Sequence, residues 1–373
     1  MNWITLEKQK ARLVYSLALL GASMMATAQS FTTINDPSAV YRTHANGISG
    51  TNIAGYYYDA AHSVHGFIYN GMTYQNLDHP LAKIAYNSGT YANGIDGTNI
   101  VGYYIDTNFN AHGFLYNGST YSTLDNPLGV NGTYLEGISG TNMAGFFKDS
   151  FGNIHGFFYN GITYATLDFP SAIYTVAMGI SGTNIVGYYA DSSGVSHGFL
   201  YRGGIYTTLD DPLSNPVTSS GTWANGVDGT NIVGYYIDSS NITHGFLFNG
   251  VTYTNLDDPL ATNGCVAQGI AGNYVVGYFN LGASPSLGFV ATLPGLTVTQ
   301  SFLSCGAGGA AFHLAFTNGT GLNFRVLAST NVALPVTGWT TIGTALESPI
   351  GSGQYLFTDS LTNAQNYYRV TTP

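Results

Sequence analysis

The word Gly-[Ile/Val]-x-Gly opens at Gly47, Gly94, Gly137, Gly179, Gly226 and Gly269, at intervals of 47, 43, 42, 47 and 43 residues. A period of this size restricts the architecture more than any other feature of the chain. It is too long for a β-helix coil, and no 3.6-residue apolar periodicity supports a helical solenoid. Within one period the chain reads as four short strands. In the second repeat these are "ANGI" (a), "NIVGYYID" (b), "HGFLYNG" (c) and "TYSTLD" (d). Asn-Gly and Asp-Gly words between them accept the positive φ that tight hairpins need. Strand b is apolar on both faces, with Ile100 and Tyr104 on one side and Val101, Tyr103 and Ile105 on the other, as a sheet with neighbours on both faces requires. The glycines of "VGYY" and "HGF" are expected to admit an aromatic ring from the next sheet.

The ends of the array are out of step in a complementary way. Six a-b-c sets occur, and the last, from Cys265 to Leu293, has no strand d after it. A d-like word, "FTTINDP" at Phe31 to Pro37, instead precedes the first strand a. Joined in space, the two ends close a ring and remove an open sheet edge. The expected fold is therefore all-β: a six-bladed β-propeller, four strands per blade, with an N-terminal strand completing the last blade. An open solenoid is the alternative.

The recurring "G-I-x-G-x-x-I-V-G-Y-Y-x-D…H-G-F-L-Y…T-L-D-D-P" resembles the HAF-type extracellular repeats of exported proteins, with HGF in place of HAF, over roughly residues 31–293. The resemblance implies export and a propeller-like fold and supplies no catalytic residues. The sixth unit departs from it, with Asn280 in place of Asp and Leu287 in place of His.

From about Thr297 the pattern changes. "FHLAFT", "FRVLAST", "WTTIGTAL", "QYLFTD" and "NYYRVTT" alternate like strands of a small antiparallel β-sandwich, loosely similar to immunoglobulin-like modules. At the other end, Lys8, Lys10 and Arg12 precede a mostly apolar run from Leu13 to Ala26 and a small-x-small site after Ala28. That is the layout of a secretory signal peptide, and the run is short for a membrane span. The expected organisation is a signal peptide over 1–28, a propeller over 29–294 and a sandwich over 295–373. The mature chain is expected in a secreted, periplasmic or cell-surface location of a bacterium, as a monomer without membrane insertion.

Charge narrows the partners. Beyond residue 28 the chain holds 6 Lys plus Arg against 18 Asp plus Glu, which disfavours nucleic acid. Only Cys265 and Cys305 are present. In an exported protein they are expected to form a disulfide, although two buried thiols are the alternative.

Three sets of residues recur. The pairs Asp59/His65, Asp106/His112, Asp149/His155, Asp191/His197 and Asp238/His244 bracket the b–c loops. Five copies suit a structural hydrogen bond, with the Asp accepting from its His or from loop amides, better than a catalytic base. Equivalent histidines on neighbouring blades should lie more than about 10 Å apart, too far to share a metal ion. No metal or other cofactor is implied. Asp78, Asp125, Asp168, Asp210 and Asp257 end strand d before a Pro-containing turn, where a local Asx bond is expected.

The positions where repeats disagree are the candidate ligand site. Three residues before the leading Gly stand His44, Tyr91, Tyr134, Val176, Trp223 and Val266; one residue before it stand Asn46, Asn93, Glu136, Met178, Asn225 and Gln268. The two sets share a strand face and fall near the inner rim. His44, Tyr91, Tyr134 and Trp223 with Asn46, Asn93, Glu136, Asn225 and Gln268 form an aromatic-plus-amide surface suited to a sugar. The competing reading packs them between blades. The expected function is an exported binding protein for a glycan or a cell-surface protein. A structural cell-envelope repeat protein is the alternative. A propeller glycosidase or lyase is weaker, because Glu136 has no unique second carboxylate at the spacing that chemistry needs.

Overall fold

Gly50, Gly97, Gly140, Gly182, Gly229 and Gly272 all adopt φ between +56° and +62°. Each opens a two-residue turn between the two innermost strands of a repeat, where an L side chain would be strained. These turns set the register of everything that follows. The structure, a computed structural model, describes residues 29–282, 285–293, 297–306, 309–317, 324–329, 340–347, 354–360 and 367–371. The expected signal peptide over 1–28 lies outside them.

Ser30–Thr292 forms one compact unit. It begins with β1 (Ser30–Ile34). The first repeat gives β2 (Arg42–Ser49), β3 (Asn52–Tyr58), β4 (Val64–Tyr69) and β5 (Tyr74–Asn76). The second gives β6 (Thr90–Asp96), β7 (Asn99–Ile105), β8 (Ala111–Tyr116) and β9 (Tyr121–Thr123). The third gives β10 (Thr133–Ser139), β11 (Asn142–Lys148), β12 (Ile154–Tyr159) and β13 (Tyr164–Leu167). The fourth gives β14 (Tyr174–Ser181), β15 (Asn184–Ala190), β16 (Ser196–Arg202) and β17 (Ile205–Leu209). The fifth gives β18 (Thr222–Asp228), β19 (Asn231–Ile237), β20 (Thr243–Phe248) and β21 (Tyr253–Asn255). The sixth gives β22 (Cys265–Ala271), β23 (Tyr274–Asn280) and β24 (Ser286–Thr292).

Each repeat is an antiparallel meander of neighbouring strands, so the unit is a multi-blade β-propeller. On β24 the outer position is filled by β1, in antiparallel register from Ser30↔Thr292 to Ile34↔Gly288. A single parallel bridge, Arg42↔Ser286, joins that sheet to β2.

Successive sheets are held together by two kinds of contact. Near the axis, glycine meets glycine. A Cβ on Gly47 would lie 2.7 Å from the Asn93 carbonyl oxygen and 3.2 Å from Gly94 Cα, and one on Gly269 would lie 2.6 Å from the Asn46 carbonyl oxygen and 3.3 Å from Gly47 Cα. No side chain fits, which is why the leading Gly recurs in every repeat. Farther out, apolar clusters straddle the sheets. Ala54 and Leu77 of the first repeat pack with Ala92, Ile95, Ile100, Tyr104 and Phe114 of the second. Ile34 and Val276 likewise pack with Ala45, Ile48, Ile53, Tyr57 and Phe67.

Two expectations are corrected here. The ring that crowds the "VGYY" glycine comes from the same sheet, since a Cβ on Gly55 would lie 2.7 Å from Phe67, its cross-strand neighbour on β4. The disulfide between Cys265 and Cys305 is also not formed. Cys265 is a free thiol at the start of β22, fully buried, and desolvation pushes its pKa up to about 12. A group so enclosed presents no thiolate to a partner; the side chain of Cys305 lies outside the described residues.

A second unit contains Leu293–Pro373. Its strands are β25 (Thr297–Gly306), β26 (Gly309–Thr317), β27 (Phe324–Ser329), β28 (Thr340–Glu347), β29 (Gln354–Ser360) and β30 (Tyr367–Thr371). They pair in the order β25-β26-β29-β28-β27-β30. β28 changes partner along its length, from β27 at Thr340–Ala345 to β29 at Leu346 and Glu347.

Candidate functional site

Every innermost strand carries a β-bulge one residue before its leading Gly, as between Ala45 and Gly47, Leu135 and Gly137, and Ala224 and Gly226. The extra residue is Asn46, Asn93, Glu136, Met178, Asn225 or Gln268. A bulge re-aims one side chain out of the pleat. Here it parts the two sets of residues that an unbroken strand would have kept on one face.

The amide set turns into the axial channel. Asn46, Asn93, Glu136, Met178, Asn225 and Gln268 form a girdle shared by two cavities. One, of about 240 Å³, runs past Ile48, Ser49 and their equivalents toward the tight turns. The other, of about 190 Å³, adds Tyr56 and Tyr103 to the girdle. Three girdle asparagines are tied across the sheets. Asn46 Nδ2 donates to Ala92 O at 3.2 Å and Asn93 Oδ1 at 3.1 Å, Asn93 Nδ2 to Leu135 O at 3.1 Å, and Asn225 Nδ2 to Ala267 O at 2.9 Å. Asn46 Oδ1 is buried and has no partner among the described residues. Desolvation pushes the Glu136 carboxyl up to about 8.

The aromatic set is not a ligand surface. His44, Tyr91 and Trp223 are buried and Tyr134 is half-buried. Tyr91 stacks on Tyr103 at 4.4 Å, Tyr134 on Phe146 at 4.4 Å and Trp223 on Tyr235 at 4.7 Å. Each also meets a ring of the preceding sheet edge-on: Tyr56, Tyr103 and Tyr188 respectively. His44 stacks on Tyr278 of the sixth repeat at 3.8 Å and bonds Tyr56 Oη through Nδ1 and Ser286 Oγ through Nε2, both at 2.9 Å. Its burial lowers the imidazole pKa to about 3. These rings are wedges between sheets, because strand a is covered on both sides.

The b–c aspartates accept from loop amides, one of the two expected bonds, while the recurring histidines take a nearer partner. Nδ1 of His65, His112, His155, His197 and His244 sits 2.7–2.9 Å from Asp78, Asp125, Asp168, Asp210 and Asp257, at the end of strand d. The b–c aspartates Asp59, Asp106, Asp149, Asp191 and Asp238 lie at 3.5–3.6 Å from Nε2. Those aspartates spend Oδ1 on loop amides, as Asp106 does on Asn108 and Asn110, both at 2.8 Å. Backbone N–H groups of Asn110, Val195 and Ile242 hold Asp106, Asp191 and Asp238 below the usual carboxylate range. The Asx bond before the proline shifts one residue on, to Asp36, Asn126, Asp211 and Asp258. In the sixth repeat all three members of the Asp–His–Asp set change together, to Asn280, Leu287 and Asn35.

The b–c loops hold what the repeat words did not reveal. Three residues after each loop Asp the chain takes the left-handed conformation: His62 at φ +58°, Phe109 at +67°, Gly152 at +85°, Gly194 at +78° and Asn241 at +63°. Gly and Asn adopt this readily and His is tolerated, whereas Phe is strained there. Both rings lean on one segment, residues 79–89. Asn87 N donates to His62 O at 2.8 Å, and Lys83 N to Ile105 O at 2.7 Å. Tyr41 stacks on His62 at 3.8 Å, Tyr86 lies 5.2 Å from His62, and Lys83 Nζ sits 3.3 Å over the Phe109 ring. Tyr86 is 67% exposed and Phe109 65%. Phe151, beside Gly152, is 89% exposed. The only hint of this surface in the sequence is a bulky residue in a loop that elsewhere reads Ser-Ser-Gly or Ser-Ser-Asn.

No family model matches the chain, and no curated protein matches it. Among solved structures, a lectin of Aleuria aurantia in complex with α-methyl-L-fucoside is 12% identical, with 86% of this chain and 98% of that chain covered and a TM-score of 0.43. The lectin SapL1 in complex with α-methyl fucoside is 16% identical, with 70% and 97% covered and a TM-score of 0.42. The β-propeller domain of the Trilobed protease from Pyrococcus furiosus is 9% identical, with 74% and 89% covered and a TM-score of 0.41. Likeness at this level says nothing about what this chain binds.

Proposed function

We propose that this chain is an exported binding protein that recognises a carbohydrate on the face carrying its b–c loops. The observation that carries the reading is an aromatic ring at the left-handed position of two b–c loops, strained at Phe109. His62 and Phe109 occupy a backbone position that Gly or Asn fills in the other described loops, and both adjoin the segment that presents Tyr86. Strain of that kind persists where the side chain is needed for something other than folding. Exposed rings beside Asn87, Asn108 and Lys83 supply a stacking surface and hydroxyl partners for a sugar. The wedge positions first expected to do this are spent inside the fold.

The rest of the reading is part of the same proposal. Six blades close as one ring, supported by β1 on β24, by the Gly269–Gly47 approach and by the concerted Asn35, Asn280 and Leu287 changes. The second unit, residues 295–373, is a two-layer sandwich, supported by the change of partner along β28. Kinship with the HAF-type repeats and a secreted, periplasmic or cell-surface location are supported by the repeat words and the leader-like first 28 residues.

The test is a glycan array probed with the chain from residue 29, beside Tyr86→Ala and His62→Asn. Binding of defined glycans that both substitutions weaken supports the reading. An array without signal, or signal unaffected by both substitutions, contradicts it.

A further inference from the structure

The axial chamber bounded by Tyr56 and Tyr103 is a separate site, and its chemistry differs from that of the loop face. Most of its donors are already used, although the Gln268 amide and the Tyr103 hydroxyl also line it. The amide nitrogens of Asn46, Asn93 and Asn225 point across the sheets to neighbouring carbonyls, and Tyr56 Oη is bonded to His44. What remains toward the cavity is rich in acceptors. Asn46 Oδ1 is buried with no partner among the described residues, and the Glu136 carboxyl stands among the lining residues. Among the described residues, no Lys, Arg or His lines the chamber to neutralise that carboxyl. The other walls are the amides of Asn93, Asn225 and Gln268, a thioether, Met178, and two tyrosine rings. A buried acceptor and a half-buried acid are costly unless something donates to them.

We propose that this chamber binds a small primary ammonium ion. Its N–H groups are received by Asn46 Oδ1 and the Glu136 carboxylate, and its alkyl part lies against Met178 and the rings of Tyr56 and Tyr103. A cation over tyrosine rings gains from the ring quadrupole as well as from the carboxylate. The volume, about 190 Å³, suits a ligand of a few heavy atoms. Tyr103 and Tyr188 are, like Tyr56, half-buried phenols whose pKa desolvation raises and Glu136 raises further, so Glu136 is the group that changes charge. Near neutral pH it is largely protonated, because desolvation holds its pKa near 8. Binding therefore exchanges one proton for one ammonium: the carboxylic acid loses its proton to solvent, and the carboxylate pairs with the ligand.

The experiment is calorimetric titration of the chain from residue 29 with ethylammonium chloride at pH 7, in two buffers of different ionisation enthalpy. Sodium, potassium and tetramethylammonium chloride serve as probes at equal ionic strength. The expected result is saturable uptake of one ethylammonium per chain with release of close to one proton. Glu136→Gln should weaken uptake at least tenfold and abolish the proton release while the protein stays folded. Met178→Phe, which fills the chamber from the opposite wall, should weaken uptake without touching the carboxyl. Absence of saturable uptake, affinity unchanged in Glu136→Gln, or equal binding of sodium, potassium or tetramethylammonium would each overturn the proposal.

Discussion

The b–c loops of the second and fifth repeats share one backbone and differ in what they display. In each, the loop Asp accepts bonds from the amides two and four residues on, at 2.8–2.9 Å, and the residue between turns left-handed. In the fifth repeat that residue is Asn241, which suits the conformation. In the second it is Phe109, which does not, and its ring stands 65% exposed beneath Lys83. The repeat fixes the backbone, so a residue that fits the backbone poorly is there for another reason. A contrast of the same kind separates aromatic residues by depth: Trp223 is clamped between Tyr188 and Tyr235, whereas Phe109 and Tyr86 face solvent.

The largest expected effect tests the frame on which both loops sit. Deleting residues 31–37 removes most of β1 and its register with β24, along with the Phe31–Phe289 edge contact at 5.4 Å. A loss on the order of 5 kcal/mol is expected from the strand's hydrogen bonds and the buried Ile34 together. Chemical denaturation of the truncated and intact chains measures it, and equal midpoints would show that the sixth sheet does not depend on this strand.

Trp223→Ala comes next. As a wedge it should cost roughly 3–5 kcal/mol of stability and leave glycan binding by folded molecules intact. A binding defect with normal stability would return this position to the ligand surface and erase the contrast in depth.

Much of this frame was legible in the sequence. The glycine words, the Asn-Gly and Asp-Gly turns and the displaced "FTTINDP" gave strand order and the N-terminal partner of β24, because tight turns and close backbone approaches tolerate few residue types. The bulges were not legible. Asn46, Glu136 and Met178 occupy equivalent bulged positions with no common chemistry, so nothing marks the extra residue, and one missed residue turned the amide set from the aromatic face into the channel. The histidine partner was missed for a related reason: Asp59 is near His65 in sequence, but the strand c–d pairing brings Asp78 nearer in space. His62 and Phe109 were passed over because a left-handed φ leaves no trace in an aromatic residue's identity.

The girdle gives a smaller effect with a definite sign. The folded-state pKa of Glu136 is raised to about 8 from 4.5. The folded chain therefore holds a proton that the unfolded chain releases between those values. Its contribution is most favourable below about pH 4.5 and is lost as pH rises toward 8. Because Glu136 is only half-buried, the shift is discounted and the loss is on the order of 2 kcal/mol. Melting temperature across pH 4 to 9 should fall over that interval, and Glu136→Gln should flatten the curve. A parallel decline in both proteins would place the titrating group elsewhere.

The smallest stability change carries the central claim. Phe109→Asn puts into the second loop the residue that the fifth already uses. Relief of strain and loss of the Lys83 contact nearly cancel, so stability should stay level or rise by about 0.5–1 kcal/mol. Glycan affinity and unfolding free energy should be measured on the same preparation of this variant. The expected result is affinity reduced at least tenfold in a protein no less stable than the parent. Affinity retained together with a stability loss above about 1 kcal/mol would mean that Phe109 serves the fold, and that the loop face is not where this protein reads its ligand.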